Sequence, residues 1–149
     1  MDVVKDNNDK PRILLVEDNP GDIRLTKEAL KESKLEILMD VVSDGEEALD
    51  FLMQRNKYIN AIRPHIILLD LNLPKKNGIE VLKEIKVHDS LKKIPVIVLT
   101  TSDAHHDITK AYSAYANCYV LKPVDFDDFA GVIQLIEHFW FNTVKLPFE

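Results

Sequence analysis

Short apolar runs alternate five times with stretches of helical periodicity, and this alternation constrains the fold more than any other feature of the sequence. Most of the runs have no polar residue at alternate positions, which is typical of strands buried on both faces. They occupy residues 13–16, 36–42, 65–70, 95–100 and 118–121. A strand followed by a helix, repeated five times, predicts one parallel sheet covered by helices on both faces.

The helical segments have recognisable start signals. Asp18 or Asn19 can cap the first helix, and Pro20 suits its first turn. The other helices are expected near 48–53, 79–85, 107–115 and 125–141. Because crossovers between parallel strands are right-handed, few topologies remain. The α/β fold expected is the flavodoxin-like doubly wound sheet with strand order 2-1-3-4-5.

Length and composition indicate one globular domain. We expect a disordered leader at 1–10, a folded domain at 11–141 and a tail at 142–149 of the 149 residues. A net charge of −6 disfavours binding to nucleic acid or to anionic membranes. The single cysteine, Cys118, excludes an internal disulfide. No apolar run approaches the roughly 20 residues of a membrane helix, so we expect a soluble cytoplasmic protein.

Polar residues end four of the five predicted strands. Glu17 and Asp18 follow the first strand, Asp70 ends the third, Thr100 ends the fourth and Lys122 follows the fifth. Doubly wound sheets bind ligands at the carboxyl ends of their strands, so these side chains are expected to converge. Three carboxylates would repel one another unless a hard cation joined them, and Mg²⁺ prefers such oxygen ligands. Asp70 could then act as a nucleophile toward phosphorus.

Other functions of the same fold fit the sequence less well. A flavin or nucleotide enzyme should present Gly, Ser or Thr donors to phosphate in its first loop, where this chain has Glu17 and Asp18. An aspartate-based phosphatase would need a further acid or base near Asp70, but position 72 is Asn. A binding module of this fold that no longer accepts phosphate is the remaining alternative.

Four motifs, in order and at the predicted strand ends, resemble the receiver domains of two-component response regulators. The resemblance covers residues 12 to about 138. The matching segments are Val16-Glu17-Asp18-Asn19, Leu69-Asp70-Leu71-Asn72-Leu73-Pro74 with Asn77-Gly78, Val98-Leu99-Thr100-Thr101-Ser102, and Tyr119-Val120-Leu121-Lys122-Pro123.

The resemblance implies a phosphoacceptor signalling protein rather than an enzyme, with only self-phosphorylation and slow autodephosphorylation of its own. A histidine kinase phosphohistidine would phosphorylate Asp70. The implied Mg²⁺ site uses Asp18, Asp70, the backbone carbonyl of Asn72 and, indirectly, Glu17. Lys122 and Thr100 would complete the phosphoryl site.

The resemblance also implies how phosphorylation is transmitted. Thr100 would be the switch hydroxyl and Tyr119 the switch aromatic, and Lys122 would precede a cis Pro123. Thr101 stands where many receivers carry a smaller residue, so we expect it to hinder the water that removes the phosphoryl group.

The connector at 56–64 and the ending from Phe139 to Pro147 are similar to the single-domain regulators that partner bacterial and cyanobacterial phytochromes. A phytochrome-type kinase is therefore one expected partner, and a downstream protein of unknown identity is another. The ending also carries several large apolar residues, and exposed clusters of that kind mark interfaces. We expect a homodimer through Phe139, Trp140 and Phe141.

Overall fold

The computed structural model describes residues 10–147, and its centre is a five-stranded parallel sheet in the order 2-1-3-4-5. The strands are β1 (Arg12–Val16), β2 (Leu38–Val42), β3 (Ile66–Leu69), β4 (Val96–Thr100) and β5 (Cys118–Leu121). The helices are α1 (Pro20–Lys31), α2 (Gly45–Leu52), α3 (Gly78–Val87), α4 (His105–Ser113) and α5 (Phe126–His138). The predicted fold class and strand order are confirmed.

Alternate residues of each strand supply two separate apolar cores. Leu14 and Val16 of β1 face the core shared with α2, α3 and α4. Ile13 and Leu15 face the other core, which α1 and α5 cover. All four side chains are buried, because a central parallel strand has helices on both faces. This double burial explains why β1 reads as a continuous apolar run.

Short polar side chains fix where four of the helices begin. Asn19 accepts a hydrogen bond from the backbone N–H of Asp22 and caps α1, as one of the two predicted caps. Asp44, Asn77 and Asp125 cap α2, α3 and α5 in the same way. The fourth helix starts after Ala104 and has no side-chain cap. A missing cap leaves first-turn N–H groups without a side-chain acceptor, which weakens the start of α4.

The ends of the chain differ from the prediction in detail. The expected leader lies outside the described residues except for Lys10, which pairs with Glu36 at 2.9 Å. The fifth helix ends at His138 and continues as a π-helical turn, Phe139–Thr143, beyond the predicted boundary at residue 141. The predicted tail therefore loses its first two residues to this turn. Among the described residues, no helix combines the length and apolar character that crossing a bilayer requires.

A glycine packed beneath Asp70 limits substitution near the end of β3. A Cβ at Gly78 would lie 2.4 Å from the Asp70 carbonyl oxygen and 2.6 Å from the Leu71 Cα. We expect Gly78→Ala to destabilise the protein by about 2 kcal/mol, since backbone atoms must shift to relieve the overlap. Urea denaturation monitored by circular dichroism measures this change.

Gly131 in α5 provides the matched control, because nothing lies within 4 Å of the corresponding added Cβ. Gly131→Ala should stabilise the protein by roughly 0.5–1 kcal/mol, since alanine favours the helix interior. Equal effects of the same sign from both substitutions would show that steric overlap at Gly78 is not the cause.

Candidate functional site

The carboxyl ends of β1, β3, β4 and β5 bring the predicted site residues together. Glu17 and Asp18 follow β1, and Asp70 follows β3. One carboxylate oxygen from each of these three residues lies within 4.8 Å of the other two. Glu17 and Asp70 are buried, whereas Asp18 is exposed at the mouth of the site. The convergence predicted from the strand ends is therefore present.

Lys122, which follows β5, pairs with two of these three carboxylates. Its Nζ donates to Glu17 Oε2 at 2.5 Å and to Asp70 Oδ2 at 3.1 Å. The lysine side chain is only 5% exposed, so the ammonium group depends on these partners in place of water. The backbone N–H of Lys122 donates to the Thr100 carbonyl at 2.8 Å, which fixes where the side chain starts.

Asp22 is a third partner of Lys122 that the sequence analysis missed. The Lys122 Nζ donates to Asp22 Oδ2 at 2.9 Å, and the Asp22 side chain is one-quarter exposed. Asp22 lies in the first turn of α1, where an acidic residue ordinarily needs no explanation beyond the helix dipole. Its position one turn beyond the Asn19 cap, at the edge of the site, is the signal that could have identified it.

Negative charge exceeds positive charge at this site. Four carboxylates, those of Glu17, Asp18, Asp22 and Asp70, face the single ammonium group of Lys122. Burial raises the pKa of Glu17 to about 7, against the hydrogen bond from Lys122, and the charge of Asp70 adds to the rise. Burial alone would lower the pKa of Lys122, but hydrogen bonds to Glu17 and Asp22 raise it above its ordinary value.

The donor set suits a divalent cation. Hard cations such as Mg²⁺ take carboxylate oxygens and keep several water ligands, and exposed Asp18 leaves one side of the cluster open to water. Burial, and after it the charge of Asp70, raises the pKa of Glu17, so the ionised form of this carboxyl group is incompletely stabilised. A cation near Asp18 and Asp70 would add positive charge beside these carboxylates.

Thr100 is buried, and its hydroxyl group is unpaired. The side chain is fully buried, and no described residue makes a hydrogen bond with its Oγ1. The neighbouring Tyr119 is half-buried and donates its hydroxyl hydrogen to the Ser102 carbonyl at 2.7 Å. The Ser102 hydroxyl in turn donates to Asp107 Oδ2 in the first turn of α4, so Tyr119 is linked to that helix.

The peptide bond before Pro123 is trans, because residues 10–147 contain no cis peptide bond. The prediction of a cis Pro123 is therefore wrong. An X–Pro bond intrinsically favours trans by about 0.5–1 kcal/mol. With the trans bond, Lys122 already satisfies its backbone N–H and its ammonium group, so no local interaction here requires the other isomer.

The remaining predicted residues are Asn72, Thr101 and the aromatic residues near the end of the chain. The backbone N–H of Asn72 donates to Asp70 Oδ1 at 3.2 Å, which orients the carboxylate. Thr101 follows Thr100 and is exposed. At the other end of the chain, Trp140 and Phe141 pack in part against the core under α1 and α5, whereas Phe139 is 47% exposed.

Comparison with known proteins assigns this arrangement to a family. The model of the response regulator receiver domain matches residues 13–134, which is most of the chain. The chain belongs to the response regulator receiver family. It is 47% identical over 145 residues to response regulator Rcp1 of Synechocystis sp., covering 97% of this chain and 99% of Rcp1.

Solved structures of receivers agree with the fold. The phosphorylated cyanobacterial phytochrome response regulator RcpA superposes with a TM-score of 0.91 at 48% identity, covering 93% of this chain and 99% of RcpA. The Mn²⁺-bound form of Rcp1 superposes with a TM-score of 0.89 at 48% identity, covering 92% and 99%. The receiver family and its fold are thus established for this chain.

The unpaired hydroxyl of Thr100 predicts how substitution of this residue changes the free energy of unfolding. Thr100→Val replaces that hydroxyl with a methyl group of similar size, so we expect about 1 kcal/mol of stabilisation in metal-free buffer. Thr26→Val is the matched control, because the buried Thr26 hydroxyl donates to the Asp22 carbonyl at 2.8 Å. The control should lose roughly 0.5–1 kcal/mol. Urea denaturation in EDTA measures both values, and a destabilised Thr100→Val would contradict the prediction.

Proposed function

We propose that this receiver accepts a phosphoryl group on Asp70 from a histidine kinase and signals by a change in protein binding. The observation that supports the proposal best is the pairing of Asp70 with Lys122 beside exposed Asp18 and the unpaired Thr100 hydroxyl. Such a set provides a nucleophile, a cation-binding edge and two groups that can contact phosphoryl oxygens. The description of RcpA as phosphorylated is consistent with this function.

Phosphoryl transfer requires that the Asp70 carboxylate is ionised and that the negative charge of the phosphoryl oxygens is stabilised. A carboxylate oxygen of Asp70 attacks phosphorus, the phosphorus–nitrogen bond of the phosphohistidine breaks, and its electron pair remains on the imidazole nitrogen. The Asn72 N–H and the Lys122 ammonium group already orient the Asp70 carboxylate. Lys122 can then exchange its Asp70 contact for a phosphoryl oxygen while Glu17 and Asp22 keep it in place.

We propose Mg²⁺ as the cation, held by Asp18, Asp70 and the backbone carbonyl of Asn72, with Glu17 acting indirectly. When bound, Mg²⁺ would offset the negative charge of the carboxylates and of the incoming phosphoryl oxygens. The three clustered carboxylates of Glu17, Asp18 and Asp70 support this assignment. The Mn²⁺-bound form of the similar protein Rcp1 supports a divalent cation of this class.

Thr100 and Tyr119 are the proposed switch residues. A phosphoryl group on Asp70 gives the Thr100 hydroxyl an acceptor that it does not have among residues 10–147 of the resting protein. Movement of Thr100 leaves space that the Tyr119 ring can enter, which would break the Tyr119–Ser102 hydrogen bond. Because the Ser102 hydroxyl donates a hydrogen bond to Asp107, the start of α4 would move as well. This start has no side-chain cap, so little else holds it.

A phytochrome-type histidine kinase is the proposed upstream partner, and an unidentified protein is the downstream one. The support is similarity to RcpA, which is described as a cyanobacterial phytochrome response regulator. We propose that the chain is a signalling protein whose acyl phosphate is lost slowly. The exposed Thr101 stands next to the switch hydroxyl, where its side chain can obstruct the attacking water.

Intact-mass spectrometry after incubation with acetyl phosphate tests the phosphoacceptor. We expect the wild type to gain one phosphoryl group only when Mg²⁺ is present, because the site needs added positive charge. Asp70→Asn should gain none, since it removes the nucleophile. Asp103→Asn is the matched control, because Asp103 is an exposed acid in the loop after β4, and it should be labelled like the wild type.

The alternatives give different results in the same assay. Absence of an adduct under all conditions would contradict the proposal and favour a phosphorylation-independent binding module. Continued turnover of acetyl phosphate, with many equivalents consumed per protein in a minute, would indicate an aspartate-based phosphatase. A single label that decays slowly supports the receiver function.

We also propose a homodimer through the last helix and the ending of the chain. Leu135 and Phe139 are 71% and 47% exposed, and their spacing of four residues puts them on one side of the continuous helical segment. Trp140 and Phe141 pack partly against the chain's own core and would support that surface from behind. Exposed apolar side chains that lie together favour an interface.

Sedimentation velocity tests the dimer. Leu135→Glu with Phe139→Glu should shift the protein to a monomer, because charged side chains would be buried in the interface. Val87→Glu is the control, because Val87 is 79% exposed and belongs to α3, which packs on the core at the other face of the sheet from α5. A dimer that persists in the double variant, or is lost equally in the control, would contradict the proposed interface.

A further inference from the structure

One of the three carboxylates that contact Lys122 lies outside the cluster that can hold a cation. The cluster found among residues 10–147 consists of Glu17, Asp18 and Asp70. Asp22 does not belong to it, although the Lys122 Nζ donates to Asp22 Oδ2 at 2.9 Å. Asp22 is therefore a partner of the ammonium group and not of the cation site.

The ammonium group of Lys122 has no hydrogen left for a further acceptor. A lysine carries three N–H donors, and here one each goes to Glu17, Asp22 and Asp70. A contact with a phosphoryl oxygen therefore requires that Lys122 give up one of these hydrogen bonds. The bond to Asp70 is the longest of them, at 3.1 Å, and Asp70 is the proposed acceptor of the phosphoryl group.

A bound cation would also weaken the hold of Glu17 on Lys122. Glu17 and Asp70 both belong to the cation cluster, so a divalent ion there would compete with the ammonium group for their negative charge. Asp22 lies outside the cluster and would keep its charge for Lys122. Once a cation and a phosphoryl group are present, Asp22 is the carboxylate best placed to retain Lys122.

The first turn of α1 fixes the position of Asp22. Its backbone N–H donates to Asn19 Oδ1 at 3.1 Å, and its carbonyl accepts a hydrogen bond from the Thr26 hydroxyl at 2.8 Å. The Asp22 side chain is 25% exposed, so its contact with the buried ammonium group is partly shielded from water. A carboxylate with a fixed backbone can hold the flexible lysine side chain in one place.

We propose that Asp22 is a positioning residue for phosphoryl transfer. It keeps the Lys122 ammonium group within reach of the phosphoryl oxygens when the cation and the phosphoryl group occupy the other carboxylates. Asp22 acts through Lys122 and is not itself a catalytic residue. The inference rests on the proposed function, because the role of Asp22 requires that Asp70 accept a phosphoryl group.

NMR of the lysine ammonium groups tests the contact without cation or phosphoryl group. In EDTA, we expect the ¹H–¹⁵N signal of the Lys122 ammonium group to be protected from exchange with water, because the group is buried and fully hydrogen-bonded. Asp22→Ala removes one acceptor, so exchange should be several times faster. Unchanged exchange in this variant would contradict the proposal.

Rates of labelling by acetyl phosphate test the role in the reaction. At saturating Mg²⁺ and high ionic strength, which screens long-range attraction of the donor, we expect Asp22→Ala to be labelled about tenfold more slowly than the wild type. Asp22→Asn removes the same charge but keeps an oxygen that can accept from Lys122, so its rate should lie in between. Equal rates for the two variants, or full recovery when the Mg²⁺ concentration is raised further, would overturn the proposal.

Asp128→Ala is the matched control for these rates. Asp128 occupies the corresponding position in α5, three residues after the Asp125 cap, and is exposed. The control should be labelled at the wild-type rate, and equal slowing would contradict a role specific to Asp22. Urea denaturation establishes that each variant folds. If the wild type takes up no phosphoryl group, the proposed function fails; if the wild type is labelled and Asp22→Ala matches it, only the role of Asp22 fails.

Discussion

The interaction of Lys122 with three carboxylates is the constraint on which the rest of the site depends. The ammonium group is nearly fully buried, and so are Glu17 and Asp70. Any of these charges alone would be costly to remove from water, and removing one partner of a buried pair typically costs 3–5 kcal/mol. Each charge is tolerated because the others are present. The elements that carry them, β1, α1, β3 and β5, are therefore held in one arrangement at this edge of the sheet.

Strand order explains why these groups meet. β1, β3, β4 and β5 are consecutive neighbours in the sheet, and all run in the same direction. Their last residues therefore reach the same edge, and polar side chains that follow each strand face one another. Gly78 then allows the start of α3 to pack closely against the backbone of Asp70 and Leu71. Parallel pairing positions the site, and local packing sets its dimensions.

The sequence predicted those parts of the site that follow directly from strands. Asp70 and Lys122 were found because each interrupts an apolar run, and a parallel sheet leaves such residues only one place to go. Asp22 was missed because it lies in a helix, and its contact with Lys122 spans 100 residues of sequence that only the folded chain brings together. The cis form of Pro123 was inferred from resemblance alone, and the local contacts of Lys122 are satisfied without it. The end of α5 was predicted three residues late, at 141, because α5 passes without a break into a π-helical turn.

The two edges of the sheet share one physical property, which is a buried polar group without a hydrogen-bond partner. At the carboxyl edge, the buried Thr100 hydroxyl has no hydrogen-bond partner among residues 10–147, and burial raises the pKa of Glu17. At the amino edge, the buried Nε–H of Arg12 has no acceptor within the part of the chain that the structure describes. Buried polar groups in stable proteins are almost always paired, so such exceptions lower the stability of the resting chain. A buried polar group without a hydrogen-bond partner gains the most interaction free energy when a new partner is added, because the new hydrogen bond replaces no existing one. This gain is the physical reason for proposing Thr100 as a switch residue.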